Sequence, residues 1–177
     1  YILYISRCWF LSLDQNFGNS SRENVIIKVM KINSEAEMLE FGREFAKTLE
    51  LPAVIELVGD VGTGKTTFTR GLATGLGVNE PITSPSFTIS KRYAFTNNQS
   101  DLSGELIHYD FYRLDDPGIM REDLAEALSL PNAVVVVEWG DDIADLLPSH
   151  KIHLQLSLNP DESRTVEIIS DRREAEL

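Results

Sequence analysis

Gly59, Gly62, Gly64, Lys65 and Thr66 carry the clearest chemical potential in the chain, because GDVGTGKT (59–66) places them at the offsets G-x-x-x-x-G-K-[ST]. Glycines at these positions open backbone conformations closed to other residues, so that amide groups can turn inward toward an anion. The lysine that follows can reach the β- and γ-phosphates of a nucleotide, and the next hydroxyl is placed to ligate Mg2+. A helix starting at Lys65 would add roughly half a positive charge at its N-terminus. The run is chemistry for a nucleoside triphosphate. No N-K-x-D segment is present to read guanine, which favours ATP over GTP.

Phosphate cleavage at such a loop also needs a carboxylate at the end of a neighbouring strand, to hold the metal ion directly or through water and to orient the nucleophile. Two residues qualify. Glu138 ends AVVVVE, where a carboxylate after four valines has no ordinary use in a core. Asp110 lies in ELIHYDFYRL, where alternation puts His108, Asp110 and Tyr112 on one face, as an exposed edge strand could also do. Which acid positions the water stays open at this level. His108 by itself fits a packing histidine better than a catalyst. Ser84, Ser86 and Thr88 offer hydroxyls in TSPSFT, suited to a nucleotide-responsive switch or to a plain turn about Pro85. Trp139 suits a place beside the nucleotide and a place in the core equally well.

These residues need strands and helices to hold them. VIIKVMKI (25–32) is strand-like, and Ser34 followed by Glu37 has the spacing of a capping box at a helix start. Met38, Phe41, Phe45 and Leu49 repeat at helical spacing, which predicts a helix over 35–49 stopped by Pro52. AVIELV (53–58) reads as a strand covered on both faces and leading into the glycine loop. A second helix is expected over 65–76, with Gly77 as its stop. ISKRYAF (89–95), ELIHYDFYRL (105–114) and AVVVVEW (133–139) read as strands, with a helix over 121–129. KIHLQLSL (151–158) and RTVEIIS (164–170), separated by NPDES, read as a terminal hairpin.

The fold class that follows is α/β, a P-loop NTPase-like three-layer α/β/α arrangement around a central mixed β-sheet. A chain of 177 residues supports one such domain, expected over 30–177 and beginning with Met30. Residues 1–29, with the polar stretch DQNFGNSSREN inside them, read as an N-terminal extension outside the fold.

Composition narrows the partners. The net charge of −12, from 16 Lys and Arg against 28 Asp and Glu, argues against a direct, high-affinity grip on nucleic acid. It does not exclude a bound nucleotide, because surface charges beyond a Debye length of about 8 Å are largely screened. The single cysteine, Cys8, allows neither an intrachain disulfide nor a thiolate zinc cluster, and a reducing, cytoplasmic setting fits. No apolar run approaches the roughly 20 residues needed to cross a bilayer.

GDVGTGKTTFTRGLATGLG, ITSPSFT, HYDFYRL and VVVVEWGDDIADLLP, in that order, resemble the TsaE (YjeE) family of small bacterial P-loop ATPases, over about Met30 to Arg164. The resemblance implies an ATPase, weak alone and partner-dependent. It would be required to form the threonylcarbamoyl group on N6 of adenosine beside the anticodon, in tRNAs reading codons that begin with A. TsaD and TsaB would be its partners, with tRNA met only through their complex. Carried onto this chain, the resemblance puts phosphate binding on Gly62, Thr63, Gly64, Lys65, Thr66 and Thr67. It puts Mg2+ on Thr66 and Glu138, and the other essential acid on Asp110. Further nucleotide contacts fall near Ser34, Glu35 and Arg164; from the residues themselves Trp139 is added as a nucleotide contact, and Ser84 and Ser86 as the switch loop. Ser86 departs from the threonine of many members but keeps the hydroxyl. Lys65, Asp110 and Glu138 are therefore the expected catalytic set. A small-molecule P-loop kinase and a non-hydrolytic nucleotide switch remain alternatives; for the former, Arg113, Arg121 and Arg164 are scattered without an evident lid segment.

Overall fold

Strands Val25–Ile32 (β1), Ala53–Val58 (β2), Ser90–Asn97 (β3), Leu102–Asp110 (β4), Ala133–Glu138 (β5), Ile152–Leu158 (β6) and Arg164–Asp171 (β7) form one sheet in the order β1-β7-β6-β2-β5-β4-β3. The computed structural model describes residues 25–85, 88–97, 102–112 and 118–171. β6, β2, β5 and β4 run parallel to one another, and antiparallel pairing adds β3 at one side and β7 then β1 at the other. The sheet is therefore mixed. β2 and β5 take its middle because both are mainly apolar and buried on both faces, and every residue of β5 is buried.

Helices Glu35–Ala46 (α1) and Lys65–Leu76 (α2) cover one face, over a core that includes Met38, Phe68, Leu72, Ile55, Leu57, Val134, Val136 and Leu154. Helix Gly118–Leu128 (α3) and a single 3-10 turn at Asp141–Ile143 cover the other, over Ile107, Tyr109, Val135 and Val137. Strand alternation sorts the residues: Val134 and Val136 face α1 and α2, so Glu138 points the same way, as do His108 and Asp110 beyond Leu106. The three-layer α/β/α arrangement is the one expected. No helix among the described residues is long and apolar enough to cross a membrane.

α1 and α2 approach each other closely because glycines stand where their backbones meet. A Cβ on Gly71 would lie 2.2 Å from the Leu39 carbonyl oxygen, and one on Gly42 would lie 2.4 Å from that of Phe68. Any side chain there would force the helices apart. α2 matches its expected limits, and Gly77 closes it at φ 90°, with Val78 N–H donating to Ala73 C=O over 2.9 Å.

Several boundaries differ from expectation for local reasons. α1 stops at Ala46 rather than 49, because Lys47, Thr48 and Leu49 donate to carbonyls three residues back and tighten the final turn. Ser34 caps α1 by accepting from Glu37 N–H, but the Glu37 carboxylate reaches back to Asn33 N–H (2.6 Å) instead of Ser34 N–H. β3 starts at Ser90, because Ile89 has left-handed φ 65°. β4 ends at Asp110, four residues early, where the Asp110 carboxylate accepts from Tyr112 N–H and turns the chain. α3 begins at Gly118, not 121. Val25–Val29, on the N-terminal side of the boundary expected at residue 30, pair with Glu167–Asp171 in β7. Residues 1–24 lie outside the described residues.

Candidate nucleotide site

The parallel strands β2, β5 and β4 end at one edge of the sheet, and the loop from Gly59 to Gly64 leaves β2 there to enter α2. Gly59 has φ 147°, and a Cβ on it would sit 2.2 Å from the Leu156 carbonyl oxygen, so only glycine lets the chain pass β6. Thr63 closes the loop on itself, its hydroxyl donating to Asp60 C=O over 2.8 Å. Gly64 (φ 104°) is the N-cap of α2 and supplies no side chain to cap it, which leaves first-turn amides for an anion. Space around Gly62 is open, with no atom within 4 Å of where its Cβ would stand. Thr66 and Thr67 lie half-buried in the first turn, and neither hydroxyl has a hydrogen-bond partner among the described residues.

Lys65 is folded back on the loop. Its ammonium donates to Gly59 C=O (2.7 Å) and Asp60 C=O (3.0 Å) and lies 4.6 Å from the centroid of the Trp139 ring. Burial pushes its pKa down, against the opposing charges of Glu138, Asp110 and Asp60. A cation held in this way is short of solvation and suited to exchange carbonyls for phosphate oxygens.

Asp110 and Glu138 occupy opposite positions on β4 and β5, both buried and both on the α2 side. The Asp110 carboxylate accepts from Ser84 hydroxyl (2.9 Å) and from Tyr112 N–H (3.1 Å). Glu138 Oε1 is 2.9 Å from Nε2 of His108, a residue with no exposed surface. Directly after Glu138 the chain turns through a left-handed Trp139 (φ 59°), which brings its ring over Lys65 and 5.0 Å from that of Tyr112. A non-glycine residue in this region is strained by about 1–3 kcal/mol.

The expected residues are therefore gathered unevenly. Lys65, Asp110, Glu138, Trp139 and Ser84 converge through direct contacts or charge coupling. Ser34 serves as helix cap, Glu35 is exposed with Arg70 3.9 Å away, and Arg164 donates to Glu162 C=O. Arg164 lies opposite Ile32 and Leu158 at this same edge of the sheet. Ser86 lies outside the described residues. A cleft of about 500 Å3 adjoins the loop, bounded by Asp60, Trp139, Asp141, Gln155 and Ser157. The last three were not foreseen; Gln155 and Ser157 carry only the signal of being polar positions on an alternating strand. His108 shares the strand face of Asp110, as its alternation indicates, but its bond to Glu138, thirty residues further on, carries no signal in the sequence.

A model of the threonylcarbamoyl adenosine biosynthesis protein TsaE matches residues 32–166, which takes in every strand from the end of β1 to the start of β7. The chain belongs to the TsaE family. Curated TsaE proteins are similar along most of its length. That of Streptomyces coelicolor is 39% identical over 67% of this chain and 78% of its own. That of Haemophilus influenzae is 31% identical over 78% and 87%, and that of Rickettsia bellii 34% identical over 79% and 93%. Among solved structures, Bacillus subtilis YdiB superposes with a TM-score of 0.66 at 27% identity, covering 84% of this chain and 88% of its own. The mixed sheet described above is thus shared with a solved structure.

Proposed function

We propose that the chain is a Mg2+-dependent ATPase serving threonylcarbamoylation of N6 of the adenosine beside the anticodon, in tRNAs reading codons that begin with A. The observation that carries this reading is the placement of two buried carboxylates, Asp110 and Glu138, at opposing register positions next to the loop that holds Lys65. The loop amides from Gly62 to Thr67 and the Lys65 ammonium bind the phosphates. Trp139, Ser34, Glu35 and Arg164 are assigned to the rest of the nucleotide.

The residues suit Mg2+ of the kind that arrives with a nucleotide. Among the described residues no group of three or more His, Cys, Asp or Glu could hold a metal ion. Thr66 and Glu138 would supply a hydroxyl and a carboxylate, donors of the oxygen type that Mg2+ takes alongside phosphate oxygens and waters. When bound, the ion would neutralise charge developing on the phosphate oxygens. Asp110 or Glu138 orients the attacking water, and Ser84, bonded to Asp110, links that acid to the switch loop shared with Ser86.

The acidic surface (−12) supports leaving tRNA to partners, taken to be TsaD and TsaB in the cytoplasm. ATP hydrolysis measured with and without a TsaB–TsaD heterodimer tests the reading: weak basal turnover and strong stimulation are expected. A purified protein with no Mg2+-dependent ATP binding would overturn it, and phosphorylation of a small acceptor far above hydrolysis would replace it with a kinase.

A further inference from the structure

His108 poses a problem that packing does not solve. It is wholly buried, yet its Nδ1 has no hydrogen-bond partner among the described residues. A buried polar atom left in that state costs stability, and a leucine would fill the same place among Val136 and Leu106 without the cost. What the imidazole provides is one bond, from Nε2 to Glu138 Oε1 over 2.9 Å. A carboxylate that binds a metal ion can only accept, and the matching imidazole partner is an Nε2 that donates. The Glu138 side chain lies on the side of the sheet that carries the phosphate loop and is charge-coupled to Lys65, and its other carboxylate oxygen has no hydrogen-bond partner among the described residues.

We propose that His108 is a positioning residue for Glu138: it holds one carboxylate oxygen so that the other is presented to the metal ion or water at the phosphate loop. The proposal rests on the ATPase reading above. Asp110 accepts from other groups, the Ser84 hydroxyl and the Tyr112 amide, whereas the hydrogen bond of His108 goes to Glu138. Groups that hold the ligands of a metal ion commonly change metal affinity or activity by about 10–100-fold when removed.

The test compares wild type, His108→Leu, His108→Gln and Glu138→Gln, together with the double variant His108→Leu/Glu138→Gln. ATP affinity is measured by calorimetry with and without Mg2+, and turnover in parallel. His108→Leu should keep Mg2+-free ATP affinity within about twofold while losing about tenfold of the gain that Mg2+ confers. His108→Gln, which can place a donor where Nε2 stood, should recover most of it. In the Glu138→Gln background His108→Leu should add no further loss, since the two act as one unit. Should His108→Leu not fold, His108→Asn, too short to reach Glu138, carries the same expectation. A folded variant with wild-type response to Mg2+, or equal losses with and without the Glu138 carboxylate, overturns the positioning role alone. A wild-type protein whose ATP binding ignores Mg2+ overturns the ATPase reading and this inference with it.

Discussion

Asp110 and Glu138 face each other across β4 and β5 at the same height of the sheet, both buried, each held by a different partner. Two carboxylates this near one another are costly unless cations offset them, and Lys65 is coupled to both. The pair and the lysine therefore form one charge system at the mouth of the phosphate loop.

Glu138→Gln is expected to bind ATP and to lose turnover by on the order of 100-fold or more, since the amide keeps the shape but not the charge that orients water or metal. Asp110→Asn is expected to lose turnover as well, and to weaken the Ser84 link. Steady-state hydrolysis beside direct binding measures both. Wild-type turnover in both variants would remove the acids from the chemistry.

Lys65→Ala should lower ATP affinity by about 100-fold or more, through loss of a charge-assisted bond to phosphate in a buried site. Its unfolding midpoint should stay within about 3 °C of wild type, since burial already disfavours the charged ammonium. A collapse of stability would mean that the bonds to Gly59 and Asp60 serve the fold rather than the ligand.

Gly71→Ala and Gly62→Ala should fail in opposite ways. The first drives a methyl into Leu39 C=O between α1 and α2 and should cost about 1–3 kcal/mol of stability. The second meets open space, so its cost is the left-handed backbone (φ 85°), about 1–2 kcal/mol, and its main effect falls on nucleotide affinity. Thermal unfolding and ATP titration of both variants read the crossing; equal affinity losses would contradict it.

Tyr109 has its pKa raised above the ordinary 10.0, by burial and by its hydrogen bond to Asp123. A group with a raised folded-state pKa contributes stability that is complete below the unfolded value and lost as pH climbs toward the folded one. Stability should therefore fall from about pH 10 upward. Tyr109→Phe should flatten that alkaline limb while costing about 1 kcal/mol at neutral pH. Denaturant unfolding from pH 8 to 11 checks the difference in slope.

Tyr93→Phe should be neutral or stabilising by up to about 1 kcal/mol, because the Tyr93 hydroxyl is buried without a partner among the described residues. A clear loss of stability would show that the hydroxyl is satisfied in solution.

The phosphate loop and its flanking β2 and α2 were legible because each is a local pattern: glycine offsets, an apolar run, a helical repeat closed by Gly77. The β6–β7 hairpin was legible for the same reason. Element ends were less so. α1 stops early through the tightened turn at Lys47, Thr48 and Leu49, and β4 through the hydrogen bond at the Asp110 carboxylate, neither of which leaves a trace in hydropathy.

What the sequence determined by itself is which residues carry charge, which glycines can turn left-handed and which face of each strand residues share. It named Asp110 and Glu138 as acids but could not set them opposite one another, since that register depends on how the β4 and β5 ladders align across 28 positions of chain. The same alignment turned His108 from a packing residue into the partner of Glu138. Trp139 was open between core and site until the fold laid its ring over Lys65. Spacing along a chain encodes local hydrogen bonding; contacts between distant segments exist only once the sheet is assembled.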